Sequence, residues 1–154
     1  MAKVKRIMIH CTDEPDNVKR NRAYWEHWFF KVKGWKHFGY HAVVYQDGRW
    51  EELQPMPDPI SDSGIITNAT MANGCKGANS DTIHIAYVGG IDHVTKRRGD
   101  TRTIEQKKTL AALVGWLSEA YGIKEVIGHR DWPGVTKTCP NFDAKKTYAY
   151  VGDR

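Results

Sequence analysis

Short stretches rich in apolar residues recur along the chain, each bounded by polar or turn residues. Runs of this length are typical of buried β-strands. They lie at residues 4–10, 39–53, 82–90 and 125–127. The second run is divided by the dipeptide Asp47-Gly48, which predicts a two-residue turn and therefore a β-hairpin.

Two other segments carry apolar residues at helical spacing. Residues 18–33 are the first, and Gly34 follows where a C-terminal cap belongs. Residues 103–121 are the second, opened by Thr103 and Gln106 in the pattern of a capping box. A last short helix is predicted to begin near Asp143, which would cap it. The residues predicted to form the buried face of the second helix are Ile104, Ala111, Val114, Leu117 and Tyr121.

The order of these elements predicts an α/β fold with a mixed β-sheet flanked by helices. A chain of 154 residues without a repeat or linker fits one domain spanning residues 1–154. Residues 54–79 have no hydrophobic period and are rich in turn residues, which indicates a long loop. Long ordered loops in compact domains tend to be functional, so we expect this one to form a wall of a binding groove.

Composition excludes some classes of protein. The net charge is +5, but the basic residues are scattered, so we expect no nucleic-acid partner. No run is apolar enough for membrane insertion or for a signal peptide, which predicts synthesis in the cytoplasm and action elsewhere only after release by another factor. Three cysteines leave at least one thiol free. We expect a monomer.

Three residues suggest a metal site. His10 ends the first predicted strand, His129 follows the last one, and Cys139 lies in the loop beyond it. Imidazole and thiolate are ligands that Zn²⁺ prefers, and three protein ligands plus water are typical of a catalytic zinc site. The positions alone also fit structural or surface histidines, so the spacing does not decide between these alternatives.

Six short runs carry a resemblance to a known family: IHCT, GYH, YVGGID, DTRT, GHRDW and K-x-CPNFD. In this order they resemble the zinc amidases of bacteriophage lysozymes, whose fold is shared by animal peptidoglycan recognition proteins. The resemblance spans about residues 4–143. It implies a peptidoglycan recognition protein-like mixed sheet, a Zn²⁺ cofactor, and peptidoglycan or a muropeptide as substrate.

Carried over by position, the resemblance places the zinc ligands on His10, His129 and Cys139, and the catalytic residues on Tyr40 and Lys137. Such an enzyme hydrolyses the amide bond between the muramoyl lactyl group and L-alanine, as an endolysin does. A cationic Lys137 can stabilise the oxyanion, and Tyr40 can donate a hydrogen bond and assist proton movement. His41, next to Tyr40, is expected to line the cleft and bind substrate.

The chain departs from the family pattern in two places. Where relatives have the run A-H-x-K-G, residues 72–77 read ANGCKG, without a histidine. Asn73 falls at this position and is expected to bind substrate without transferring protons. Where relatives often read SIGI, the strand here reads TIHI and contains His84, which we expect to be structural.

Other functions remain open on the sequence. The chain could be a non-catalytic peptidoglycan-binding module or a cytoplasmic amidase that recycles muropeptides. It could also be a thiol peptidase with Cys139 as nucleophile and His129 as base.

Overall fold

A five-stranded mixed sheet forms the centre of the protein in a computed structural model that describes residues 2–153. Its strands are β1 Arg6–Cys11, β3 Ala42–Val44, β4 Trp50–Glu52, β5 Thr82–Tyr87 and β7 Glu125–Gly128. Their spatial order is β4-β3-β5-β1-β7, with β3 and β4 antiparallel and all other pairs parallel. All four predicted strand regions, including the hairpin turn at Gly48, are confirmed.

A second, two-stranded parallel sheet was not predicted. It joins β2 (Glu14–Pro15) to β6 (Gly90–Ile91), just beyond the ends of β1 and β5. Segments of two residues carry no readable alternation of apolar and polar positions, so no sequence pattern could have indicated them.

The helices lie near their predicted positions. Asn21 caps α1 (Arg22–Glu26), which continues as a π-helical segment, His27–Val32. The prediction began this helix at residue 18, ahead of the cap. Helix α2 (Ile104–Tyr121) has the predicted capping box of Thr103 and Gln106. Asp143 caps α3 (Ala144–Thr147) through its side chain, as expected.

The predicted buried face of α2 is partly wrong. Ile104 is 67% exposed and Ala111 is also exposed, whereas Gln106 is fully buried. The Gln106 side-chain amide donates to the carbonyl oxygens of Val44 and Val88 at 3.2 and 3.0 Å, so this polar side chain faces the sheet. The residues that α2 buries are Gln106, Leu110, Leu113, Val114, Leu117 and Ser118.

Alternation along the central strands divides the core between the two faces of the sheet. Ile7 and Ile9 of β1, with Ile83 and Ile85 of β5, pack in one cluster with the buried leucines of α2. Met8 of β1 lies in a separate, smaller cluster. Residues two positions apart share a face of a strand, so His10 lies on the same face as Met8. No helix within residues 2–153 is long and apolar enough to cross a membrane.

Candidate metal centre and cleft

Two histidines lie side by side where β1 and β7 end. The strands are parallel neighbours, with Ile9 paired to Gly128. His10 follows Ile9 and His129 follows Gly128, so the two histidines are also neighbours. Their ring centroids are 4.7 Å apart. Parallel strands place their carboxyl ends at one edge of the sheet, which explains why residues so distant in sequence meet here.

The loop after β7 brings Cys139 to the two histidines. The amide of Arg130 donates to the carbonyl oxygen of Cys139 at 2.8 Å, and the Tyr87 hydroxyl donates to that of Pro140 at 2.6 Å. The amide of Cys11 lies 3.2 Å from the Cys139 sulfur and points its N–H at it. Backbone and side-chain bonds therefore hold the thiol in place.

His10, His129 and Cys139 fit a metal ion. One potential ligand atom from each lies within 4.8 Å of the others. A tetrahedral zinc site needs about 3.4–3.6 Å between such atoms, so only a small adjustment is required. Two imidazoles and one thiol supply the nitrogen and sulfur donors that zinc prefers, and three ligands leave a position open.

The protonation states of the histidines suit this role. Burial, followed by the nearby His129 and Lys137, holds the pKa of His10 well below its usual value. Burial and Lys137 also lower the pKa of His129. Both rings are therefore neutral near pH 7 and each has a free lone pair. A hydrogen bond with the Cys11 thiol and burial raise the pKa of Cys139, so metal binding must displace its proton.

A cleft of about 710 Å³ opens above these three residues. Tyr40 and Lys137 both line it, and the Tyr40 ring lies 5.4 Å from that of His10. Burial raises the pKa of Tyr40 well above its usual value, with a further contribution from Cys139, so its phenol stays protonated. The structure thus brings together all five residues that the resemblance placed in the active site.

An aromatic wall closes one side of the cleft and was not predicted. It consists of Trp28, Lys33 and Trp35, with the Lys33 ammonium 5.6 and 4.6 Å from the two indole centroids. Trp28 belongs to the segment 18–33 that was predicted as a helix, and its side chain is 36% exposed. After Gly34, whose φ is 68°, the amide of Trp35 donates to the Phe29 carbonyl at 2.9 Å and keeps Trp35 beside this helix.

The two residues expected to bind substrate have different surroundings. Asn73 lines the cleft, together with Gly74, whereas the rest of the loop at 54–72 does not. His41 is fully buried and does not line the cleft. The amide of His84 donates to His41 Nδ1 at 3.0 Å, and His41 Nε2 donates to the Thr70 carbonyl at 2.7 Å. Both ring nitrogens of His41 are hydrogen-bonded to backbone groups. His41 is therefore not placed to make the substrate contact that we expected.

His84 has a closer relation to the site than the sequence indicated. Its Nδ1 lies 2.8 Å from Nε2 of His10, and both side chains are buried. The available signal was the departure from the family's SIGI run, but the sequence does not show which neighbour the new side chain meets.

The His–His–Cys set, buried at His10 and Cys139 and half-buried at His129, opens into a cleft on a mixed sheet flanked by helices. This is an arrangement that a metal-dependent hydrolase requires. Residues 1–142 match the family model described as N-acetylmuramoyl-L-alanine amidase, and the chain belongs to this family. The predicted enzyme class is therefore confirmed.

One curated protein and two solved structures illustrate the similarity. The endolysin of Enterobacteria phage T3 is 29% identical over 148 residues, which cover 94% of this chain and 85% of the endolysin. The N-acetylmuramoyl-L-alanine amidase LysC from Clostridium intestinale superposes with a TM-score of 0.71 at 19% identity, covering 97% of this chain and 84% of LysC. Bumblebee PGRP-SA gives 0.70 at 14% identity over 96% and 81% of the two chains. The predicted peptidoglycan recognition protein-like fold is confirmed.

Proposed function

We propose that the protein is a zinc-dependent amidase that cleaves the bond between the muramoyl lactyl group and L-alanine in peptidoglycan. The observation that carries this proposal is the position of His10, His129 and Cys139 in one cleft with Tyr40 and Lys137. Family membership supports the amide bond as the target. The similarity to phage endolysins supports a lytic role.

His10 and His129 would hold the zinc through neutral imidazoles, and Cys139 would hold it as a thiolate. When bound, zinc supplies an activated water and polarises the scissile carbonyl. The N–H of Cys11, directed at the Cys139 sulfur, stabilises the thiolate charge that this role requires.

Lys137 and Tyr40 would complete the chemistry. Lys137 lines the same cleft as His10 and His129, so its side chain can reach the scissile carbonyl of a bound substrate. There it stabilises negative charge on the carbonyl oxygen as the amide is attacked. The protonated phenol of Tyr40 acts as a second hydrogen-bond donor and can pass a proton toward the leaving amine.

The cleft walls offer two surfaces for the substrate. Asn73 can hydrogen-bond the stem peptide without carrying a proton. Trp28 and Trp35 offer aromatic faces suited to a sugar ring, and Lys33 between them offers a cation for a carboxylate. A peptide with an attached sugar therefore matches both sides of the cleft.

The alternative of a thiol peptidase fits the site poorly. An activated cysteine needs a lowered pKa and an accessible sulfur. Cys139 is 9% exposed, and its hydrogen bond with Cys11 and its burial raise its pKa. These properties suit a metal ligand whose proton is displaced by the ion.

Digestion of purified peptidoglycan, followed by mass spectrometry of the products, tests the bond. We expect free muramoyl lactyl carboxylates and stem peptides that begin with L-alanine. Metal analysis should find about one zinc per chain in the wild type and in Cys75→Ala, a matched control at a cysteine outside the site. Cys139→Ala should lose both zinc and activity. Zinc retained by Cys139→Ala, or cleavage of a different bond, would contradict the proposal.

A further inference from the structure

A chain of hydrogen bonds leads from the backbone to the proposed ligand His10. His84 sits in the middle of β5, the neighbour of β1, and its ring lies between His10 and Asn79. His84 Nδ1 is 2.8 Å from His10 Nε2, and His84 Nε2 is 2.9 Å from Asn79 Oδ1. His10 and His84 are both buried, so water does not compete for these bonds.

The backbone fixes the direction of every bond in this chain. The amide N–H of Cys75 donates to Asn79 Oδ1 at 2.9 Å, and a backbone amide can only donate. The atom at Oδ1 is therefore an acceptor, and His84 must donate to it from Nε2. A neutral imidazole with its proton on Nε2 has its lone pair on Nδ1. His10 must then donate from its own Nε2, which leaves its lone pair on Nδ1.

We propose that His84 is a positioning residue that, together with Asn79, holds His10 as the Nε2–H tautomer and presents His10 Nδ1 to the metal. This inference rests on the proposed zinc site. Ligating histidines commonly donate their second ring nitrogen to a carboxylate, a carbonyl or water, which fixes the ring and raises its basicity. Here His84 is the acceptor for His10, and the side-chain amide of Asn79 holds His84 in position.

The surroundings of His84 are built to hold its ring. A β-carbon at residue 74 would lie 2.3 Å from His84 Nδ1, so only glycine fits against the imidazole. The amide of His84 is bonded to His41 Nδ1. The two departures from the family pattern, Asn73-Gly74 in the loop and His84 in the strand, therefore meet at one point beside His10.

His84 is not placed to act as a further ligand. Its Nδ1 faces His10, and its Nε2 faces Asn79, so both ring nitrogens are occupied. The cluster that could hold a metal, among residues 2–153, consists of His10, His129 and Cys139. His84 therefore acts through His10.

Three substitutions at residue 84 distinguish a role in positioning His10 from a role in packing alone. His84→Asn puts a carboxamide oxygen near the former Nδ1 and keeps an acceptor for His10. His84→Gln extends its amide toward Asn79 and loses that acceptor, and His84→Ala loses both bonds. We expect zinc affinity, measured by chelator competition, to fall about 10- to 100-fold in the Ala and Gln variants and to recover largely in the Asn variant. His37→Asn, a control at a half-buried histidine that is bonded to Gln54 and does not line the cleft, should bind zinc like the wild type.

Nitrogen NMR of the purified wild-type protein reads the tautomers directly and needs no variant to fold. We expect the proton on Nε2 in both His10 and His84. A proton on Nδ1 of His10, equal zinc affinity in all three variants, or equal losses in the Asn and Gln variants would overturn the positioning role. A wild type that binds no zinc would instead contradict the proposed function, and the NMR result would still decide the tautomer of His10.

Discussion

Gly128 lies directly against Pro140. A β-carbon at residue 128 would be 2.6 Å from Pro140 Cδ, closer than real contacts allow. The backbone of Gly128 is extended, with φ −87°, so another residue could adopt its conformation and only the space is lacking. This contact joins the strand that leads to His129 with the loop that carries Cys139.

We therefore expect Gly128→Ala to separate the two ligands. The added methyl group must move Pro140, and with it Cys139, at a cost of about 1–3 kcal/mol in unfolding free energy. Urea unfolding and zinc titration measure the two effects, and both stability and metal affinity should fall. The control is Gly115→Ala in α2, where a β-carbon meets nothing within 4 Å and should stabilise the helix by about 0.5–1 kcal/mol. Wild-type zinc affinity in Gly128→Ala would show that the contact does not position the cysteine loop.

Removal of the proposed catalytic groups should separate chemistry from metal binding. Lys137→Ala and Tyr40→Phe should keep their zinc, because neither belongs to the ligand cluster. Turnover of a defined muropeptide should fall by about 10²-fold or more, as for loss of an oxyanion donor. Lys145→Ala and Tyr150→Phe are matched controls on the exposed C-terminal segment. Near-wild-type turnover in both active-site variants would defeat the assigned roles.

Acid should destabilise the protein through His41. Burial lowers the pKa of His41 to about 4, below the value of about 6.5 expected in the unfolded chain. The unfolded state therefore binds the proton first as the pH falls. The stability contribution of neutral His41 is complete above pH 6.5 and is lost between about pH 6.5 and 4, amounting to about 3 kcal/mol.

Urea unfolding at a series of pH values measures this loss. His41→Asn keeps an acceptor for the amide of His84 but cannot be protonated, so its stability should depend less steeply on pH. His27→Asn, at an exposed histidine, should follow the wild-type curve. If His41→Asn and the wild type lose stability in parallel, His41 does not carry the effect.

Asn73 should contribute to substrate binding alone. It lines the cleft, and its amide neither gains nor loses a proton near neutral pH. Asn73→Ala should raise KM for a defined muropeptide and leave the pH profile of kcat unchanged. Asn68→Ala, at an exposed position of the same loop, should leave KM unchanged. A displaced pH optimum in Asn73→Ala would mean that the loop takes part in proton transfer.

The sequence by itself determined most of the elements, because their signals are local. Alternating and uninterrupted apolar runs gave the strands, Thr103 and Gln106 gave the start of α2, and Asp47-Gly48 gave the hairpin turn. The identity of the proposed metal ligands followed from a resemblance carried by short motifs. His10 and His129 stand at strand ends, whereas Cys139 lies in the loop beyond and is marked only by the run K-x-CPNFD.

Only the tertiary structure decided how side chains distant in sequence meet. His41 faces the backbone because the Thr70 carbonyl and the His84 amide lie next to its ring. Both are distant from His41 in the sequence, so no local pattern predicts these contacts. The relation of His84 to His10 depends likewise on the parallel pairing of β5 with β1. A hydrogen bond of 2.8 Å requires two atoms to be placed to within a few tenths of an ångström, and only the packed sheet fixes positions that closely.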